Sequence, residues 1–486
     1  MSNSESGAMP DVNAVDRDVG EPTPWLSVVA VSRNDDHGGD PLRRTQLFVD
    51  SLAWQAGAFS LPTELVLVEW NPPRDRPELA DVLRFPVNFF FSVRIMTVPL
   101  ELHAGLRHGD RLPLFQMIGK NVGIRRARGE FVLATNIDIL LDDSLFARLA
   151  QRDLDPRRMY RADRYDIANS VTAGDHAAQQ AFCRENGNQL RYYHRKRPPG
   201  YANLQKKDPA GSSSLLAGLS QFAWLEAAAA DPRVVLAKPD MPVDWLHYYA
   251  CGDFTLLHRD AWNAMRGYGE FEAFPMHIDS LGCIQAHLLG YSEASFLPPL
   301  TCYHIEHAPG SGWTPEHNEM LFDRLRKAAI PFIEWGWVSD FFVPLFEHDA
   351  HTLLNDERWG MNDLRLRETV FDARDGKKTT AADPITDAYR HPAALKPQFG
   401  LDVFNSAANK VWADQSEFSQ LKNSTWRRLG LVCGLTRALR SEKRDGGVQF
   451  FRIPLLKSCF KDTKLWINLS IISNIVLLGL LLYRSF

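Results

Sequence analysis

The 486-residue chain is 45% hydrophobic and 23% charged, enough for one large catalytic domain with extensions or for two domains. A net charge of −4, with no basic stripe before the far C-terminus, argues against a nucleic-acid-binding protein. The six cysteines (Cys183, Cys251, Cys283, Cys302, Cys433, Cys459) are scattered without a CxxC pair, which speaks against a zinc site or a disulfide framework and fits reduced thiols facing the cytosol.

Residues 1–24 are polar and rich in Gly, Pro and Asp, and read as a disordered tail rather than an apolar signal sequence. Trp25–Ser32 (WLSVVAVS) is a buried-strand pattern ending in Ser32, Arg33 and Asn34. Asp40 and Pro41 are the N-cap and first residue of a helix running to about Gln55. Glu64–Glu69 is a second strand, stopped by Trp70, Asn71, Pro72 and Pro73; Val93–Val98 is a third. Pro113–Arg126 is a helix with Leu114, Met117, Ile118 and Val122 on one face. Its Arg125 and Arg126 read as solvated residues rather than phosphate clamps.

Gly129–Leu141 (GEFVLATNIDILL) is the most informative stretch. A short apolar run, Phe131–Ala134, ends abruptly in Thr135, Asn136, Ile137 and Asp138. In open α/β sheets ligands bind beyond the carboxyl ends of the strands. A carboxylate and an amide oxygen there suit a hard divalent cation that also holds phosphates. Asp142, Asp143 and Ser144 then start another helix. Strands and helices thus alternate over the first 150 residues, the doubly wound, Rossmann-like α/β pattern with a mostly parallel sheet. The strand ends Ser32/Arg33, Glu69/Asn71 and Asn136/Asp138 converge on one crevice in such a fold. Neither GxGxxG nor GxxxxGK[ST] is present, so phosphate has to be held by a metal or by basic side chains.

Residues 169–242 hold polar, Gly/Ser/Lys-rich loops and read as an insertion or lid over the crevice. Order returns at Tyr248. Asp279 heads a helix with Leu281, Ile284, Leu288 and Leu289 as its apolar positions; the plainer role for Asp279 is an N-cap. A strand, Leu300–Tyr303, delivers His304, Glu306 and His307, of which His307 reads as structural. Thr314 and Pro315 start a helix with Met320, Leu321, Leu325 and Ala328 on one face, and Trp335–Phe342 reads as an aromatic domain edge. Residues 346–425 are polar and weakly periodic, an accessory or linker segment; 426–464 are enriched in Lys and Arg. Leu465–Tyr483 is an apolar run without charge, long enough for the roughly 20 residues that span a bilayer, with Trp466 and Tyr483 near its ends. These features predict a single-pass C-terminal anchor with the catalytic domain on the cytoplasmic side.

Four pieces stand in order: NVGIRRARGEFVLATNIDI, the glycine-rich GDFTLLHRDAWNAMRGYGEFE, the helix-start Asp279, and His304 in YHIEH. The series resembles the GT-A-fold glycosyltransferases, family 2-like with a galactosyltransferase-like C-terminal half, over roughly Trp25–Phe342. The resemblance implies a GT-A-like domain over 25–345, a nucleotide-sugar donor (UDP- or GDP-sugar), a divalent cation (Mn2+ or Mg2+), and a glycan, lipid-linked or protein acceptor. Asp138 corresponds to the last acid of the DxD motif and His304 to the distal metal ligand. Asn136 replaces the first acid. Glu69 or Asn71 matches the acid that contacts the nucleoside, and Ser32 and Arg33 the base-contacting strand end. Asp279 replaces the second acid of the ED pair, with Ile278 where the family has Glu, and is the expected general base of an inverting transfer. Two other readings remain: a non-catalytic sugar-nucleotide-binding module, motivated by Asn136 and Ile278, and a nucleotidyltransferase, which the lack of a glycine-rich basic loop after Ser32 argues against.

Overall fold

The structure is a computed structural model that describes residues 22–172, 174–187, 225–227, 234–237, 246–248, 250–307, 318–333, 338 and 353–381. The chain runs β1 (Leu26–Ser32), α1 (Pro41–Ala58), β2 (Thr63–Trp70), α2 (Leu79–Val82), β3 (Phe91–Val98), α3 (Leu100–Ala104), α4 (Gln116–Arg126) and β4 (Phe131–Ala134). It continues through β5 (Ile139–Leu141), α5 (Asp143–Leu149), β6 (Arg158–Ile167), α6 (His176–Asn186), β7 (Leu225–Ala227) and β8 (Val234–Ala237). Then come β9 (Thr255–His258), α7 (Arg259–Met265), α8 (Ile278–Leu288), β10 (Ser292–Ile305), α9 (Asn318–Lys327), β11 (Arg367–Phe371) and β12 (Lys378–Thr380).

All these strands join one sheet, in the order β12-β11-β3-β2-β1-β4-β9-β6-β10-β8-β7, with β5 on β10. The order 3-2-1-4 is parallel throughout. Both faces of this half are covered, so its strands read as continuous apolar runs. Val28 and Ala30 of β1 face a core shared with Phe48, Val49 and Leu52 of α1. Val29 and Val31 face the opposite core, with Met117, Ile118 and Val122 of α4. α1 begins as expected, with the Asp40 side chain accepting from Arg43 N–H and Pro41 in the first turn. α4 lies so close to β1 that a Cβ on Gly123 would come within 2.5 Å of Val29 Cγ1, and one on Gly119 within 2.8 Å of Val31 Cγ1.

The sheet beyond β4 departs from the mostly parallel expectation. β9 pairs antiparallel with both β4 and β6. A turn at Ala250–Asp253, closed by Asp253 N–H donating to Ala250 O, precedes β9, which starts beside the carboxyl end of β4. β10 is longer than the four residues predicted and runs parallel to β6 in two stretches, Ser292–Phe296 and Thr301–Ile305, with a register shift between them. Part of the segment read as accessory or linker, 353–381, packs on the domain: β11 extends the sheet antiparallel to β3, and Trp359 is 1% exposed. Arg126 likewise is no solvated residue. It donates to the carbonyls of Gly360, Met361 and Leu364, and Arg125 stacks over Trp359. Within 169–242, α6 is an ordinary capped helix, with Asp175 accepting from Ala177 N–H.

Thr314, Pro315 and nearly all of Trp335–Phe342 lie outside the described residues, as do 426–464 and Leu465–Tyr483. No helix among the described residues is long and apolar enough to cross a membrane.

Candidate metal centre and crevice

Parallel strand ends and one antiparallel return build the site. β4 ends at Ala134, and Thr135 and Asn136 leave its carboxyl end. β9 begins beside it, Thr255 lying opposite Ala134. The Thr135 hydroxyl donates to Asp253 O (2.6 Å), and Asn136 Nδ2 donates to Asp253 Oδ1 (2.5 Å). Asn136 Oδ1 accepts from Gln116 Nε2 (2.7 Å). The amide is therefore held from both ends, and its oxygen points at Gln116.

Asp138 turns the chain into β5, and Ile305 N–H donates to its carbonyl. His304, at the end of β10, lies opposite Asp166 of β6 and Ile139 of β5. Three side chains meet there: Asp138, His304 and His307 offer ligand atoms within 4.8 Å of one another. His304 Nε2 is 3.7 Å and His307 Nε2 3.6 Å from Asp138 Oδ2. These separations are too long for hydrogen bonds and suit two ligands flanking one cation. Asp138 Oδ1 is buried with no hydrogen-bond partner, a cost of about 1–3 kcal/mol that a bound cation would remove. One carboxylate and two imidazoles suit a divalent ion that accepts nitrogen as well as oxygen donors better than Mg2+, which prefers all-oxygen ligands.

The electrostatics follow from burial and neighbours. Burial and Arg164 push the His304 imidazole down, but Asp138, the Asp166 bond and Asp253 outweigh them and lift it above the ordinary histidine value. Burial drives His307 down to about 4, against the pull of Asp138. His307 thus favours the neutral form that binds metals. The loop before α1 leans on it: a Cβ on Gly38 would sit 3.2 Å from His307 Cβ. Arg44, 2% exposed, clamps that loop by donating to the carbonyls of His37, Gly38 and Gly39.

Lys120 lies behind the Gly252–Asp253 turn. It is fully buried and donates to Gly252 O (2.6 Å). Burial lowers its ammonium to about 8, opposed by Asp253 first and then Asp279. Gly252 separates Lys120 from Asp279, since a Cβ there would lie 2.9 Å from Asp279 Oδ2 and 3.9 Å from Lys120 Nζ. Asp279 accepts from Ser280 N–H and stands in the first turn of α8; the N-cap residue is His277. Asp279 therefore sits beside the Gly252–Asp253 turn, whose aspartate grips Asn136.

Ser32, Arg33 and Asn71 gather at the neighbouring strand ends, where Arg33 Nη1 and Asn71 Nδ2 both donate to Pro113 O (3.3 Å each). Glu69 takes a different course. Its carboxylate is fully buried, Oε1 accepts from Leu79 N–H (2.8 Å) at the start of α2, and Oε2 has no partner. Burial raises it to about 7. Of the alternatives Glu69 and Asn71, it is Asn71 that shares an acceptor with Arg33.

Fold and cluster together define an α/β protein, Rossmann-like in its parallel half, with a carboxylate–histidine group at the strand ends. No protein-family model matches the chain, and no curated protein does. Among solved structures, the crystal structure of S. aureus TarS 1-349 is similar, at 12% identity over 67% of this chain and 71% of that one, with a TM-score of 0.33. A likeness this loose assigns no chemistry; the crevice residues have to supply it.

Proposed function

We propose that the protein is a glycosyltransferase that moves a sugar from a UDP- or GDP-sugar to an acceptor hydroxyl, with inversion. The observation that carries this reading is the Asp138–His304–His307 cluster at the carboxyl ends of the strands, with Asp279 across the Gly252–Asp253 turn. Asp138, His304 and His307 would hold the cation, which neutralises charge building on the diphosphate as the sugar bond breaks. Arg33, Asn71 and Ser32 line the end of the crevice suited to the nucleoside. Asp279 accepts the acceptor proton. Placing that base and the leaving group on opposite sides of the sugar gives inversion without a covalent intermediate.

The full chain with Mn2+ should release nucleoside diphosphate from at least one sugar in a UDP, GDP and CDP panel. Asp138→Ala should abolish turnover, and Asp279→Asn should lower kcat by roughly 10²–10⁴-fold while nucleotide binding persists. Failure to bind any nucleotide-sugar in the panel overturns the proposal. A sugar-nucleotide-binding module without turnover has one observation in its favour, the engagement of Asn136 Oδ1 by Gln116; it predicts nucleotide-induced thermal stabilisation that Asp279→Asn leaves unchanged. We further propose that Leu465–Tyr483 tethers the enzyme to a membrane and brings a glycan, lipid-linked or protein acceptor near. Deleting residues 465–486 should move the protein from the membrane to the soluble fraction.

A further inference from the structure

His304 offers its two ring nitrogens to two carboxylates. Nδ1 is 3.0 Å from Asp166 Oδ1, while Nε2 faces Asp138. The Asp166 oxygen is shared: Arg164 Nη2 lies 2.9 Å from that same Oδ1. The other arm of the guanidinium donates from Nη1 to Asp253 Oδ2 (2.6 Å), and Asp253 Oδ1 accepts from Asn136. One side chain on β6 therefore joins the β6–β10 wall, which carries His304, to the β4–β9 wall, which carries Asn136. Asp166 and Asp253 are 6% and 5% exposed, so little water is present to replace the arginine.

The role requires arginine. A planar fork can address two carboxylates at fixed angles, whereas a lysine ammonium is a point charge on a flexible stem. The consequence falls on the histidine. An Asp166 oxygen fixed in place accepts from Nδ1–H, which leaves the Nε2 lone pair as the one facing Asp138. A partner of this type sets which nitrogen of a metal-binding histidine is free.

We propose that Arg164 is a positioning residue for the metal site: it fixes Asp166 so that His304 presents Nε2 to the cation, and it ties this orientation to Asn136 through Asp253. The proposal rests on the metal reading given above. Mn2+ affinity, by calorimetry, should fall by roughly 10–100-fold in Arg164→Lys. Arg164→Met/Asp253→Asn, which removes one of the two carboxylates left bare, should show the same loss if Arg164→Lys folds poorly. In metal-free protein at mildly alkaline pH, ring 15N correlations of His304 should show the Nδ1–H form in wild type and a mixture with the Nε2–H form in both variants. Variants that melt at lower temperature yet keep wild-type Mn2+ affinity and an unmixed Nδ1–H ring would overturn the positioning role and leave the metal reading intact. A wild-type protein that binds no Mn2+ overturns the metal reading, and the ligand orientation with it.

Discussion

Glu69 shows how one residue at the crevice edge shapes stability. Its carboxyl is held at about 7 by burial, against 4.5 for an ordinary glutamate. A folded-state value above the unfolded one means the folded chain retains a proton that the unfolded chain gives up. The contribution is fully present below pH 4.5 and is lost as pH rises through 7. From this group alone, stability should fall by up to about 3 kcal/mol between pH 5 and pH 8.5. Glu69→Gln should flatten that dependence in urea titrations at the two pH values; an unchanged slope would show that the carboxyl is already ionised in the fold. At this scale the sequence is legible where the candidate site follows strand ends. Asn136, Asp138 and His304 each close an apolar run, and that pattern singled them out. His307 reads as structural in the sequence because a lone histidine in a loop usually is; its approach to Asp138 appears only once the Gly38 loop packs against it. Asp166, Arg164 and Asp253 carry no local signal, since their meeting depends on β6, β9 and β10 being neighbours.

The helix α4 packs closely on the sheet through Gly119 and Gly123. From Met117 to Ile124 every residue is buried, which an amphipathic reading with one apolar face does not anticipate. The sheet takes one side, and the turn around Trp359, with α7, takes another. The glycines at 119 and 123 make room for β1. Gly123→Ala should cost about 1–3 kcal/mol in denaturant titrations, because Val29 and Val68 are themselves packed and cannot withdraw. No loss would mean that the helix shifts as a body. Helix starts were legible through their chemistry, as at Asp40–Pro41 and Asp142. Strand direction was not. The run around Thr255–His258 has apolar residues enough for a strand, but that pattern is the same read in either direction. Likewise β11 and β12 lie in a polar segment because they extend the sheet at its edge.

For the whole molecule, metal binding and folding should be linked. In the proposed metal site, residues from the β4–β5 connection, the end of β10 and the loop after it would supply the ligands, and these meet only in the folded chain. Mn2+ at 100 times its dissociation constant should add about 2.7 kcal/mol and raise Tm, and His304→Ala/His307→Ala should remove most of that gain, measured against the variant's own metal-free Tm. A Tm indifferent to Mn2+ in wild type would argue against a resident cation.

β10 adds a consequence of its own. The strand runs from Ser292 to Ile305, bordered by β6, β8 and β5 along its course; its register against β6 shifts between Phe296 and Thr301, and His304 is the penultimate residue of the second stretch. Side chains alternate along a strand, so a slip of one position would put Tyr303 where His304 belongs and turn the imidazole to the opposite face. At the proposed metal site, cation binding would therefore act as a proofreading step on strand pairing: a chain that had misaligned β10 by one residue would lose a ligand and forgo the stabilisation that the ion would give to the correctly aligned one.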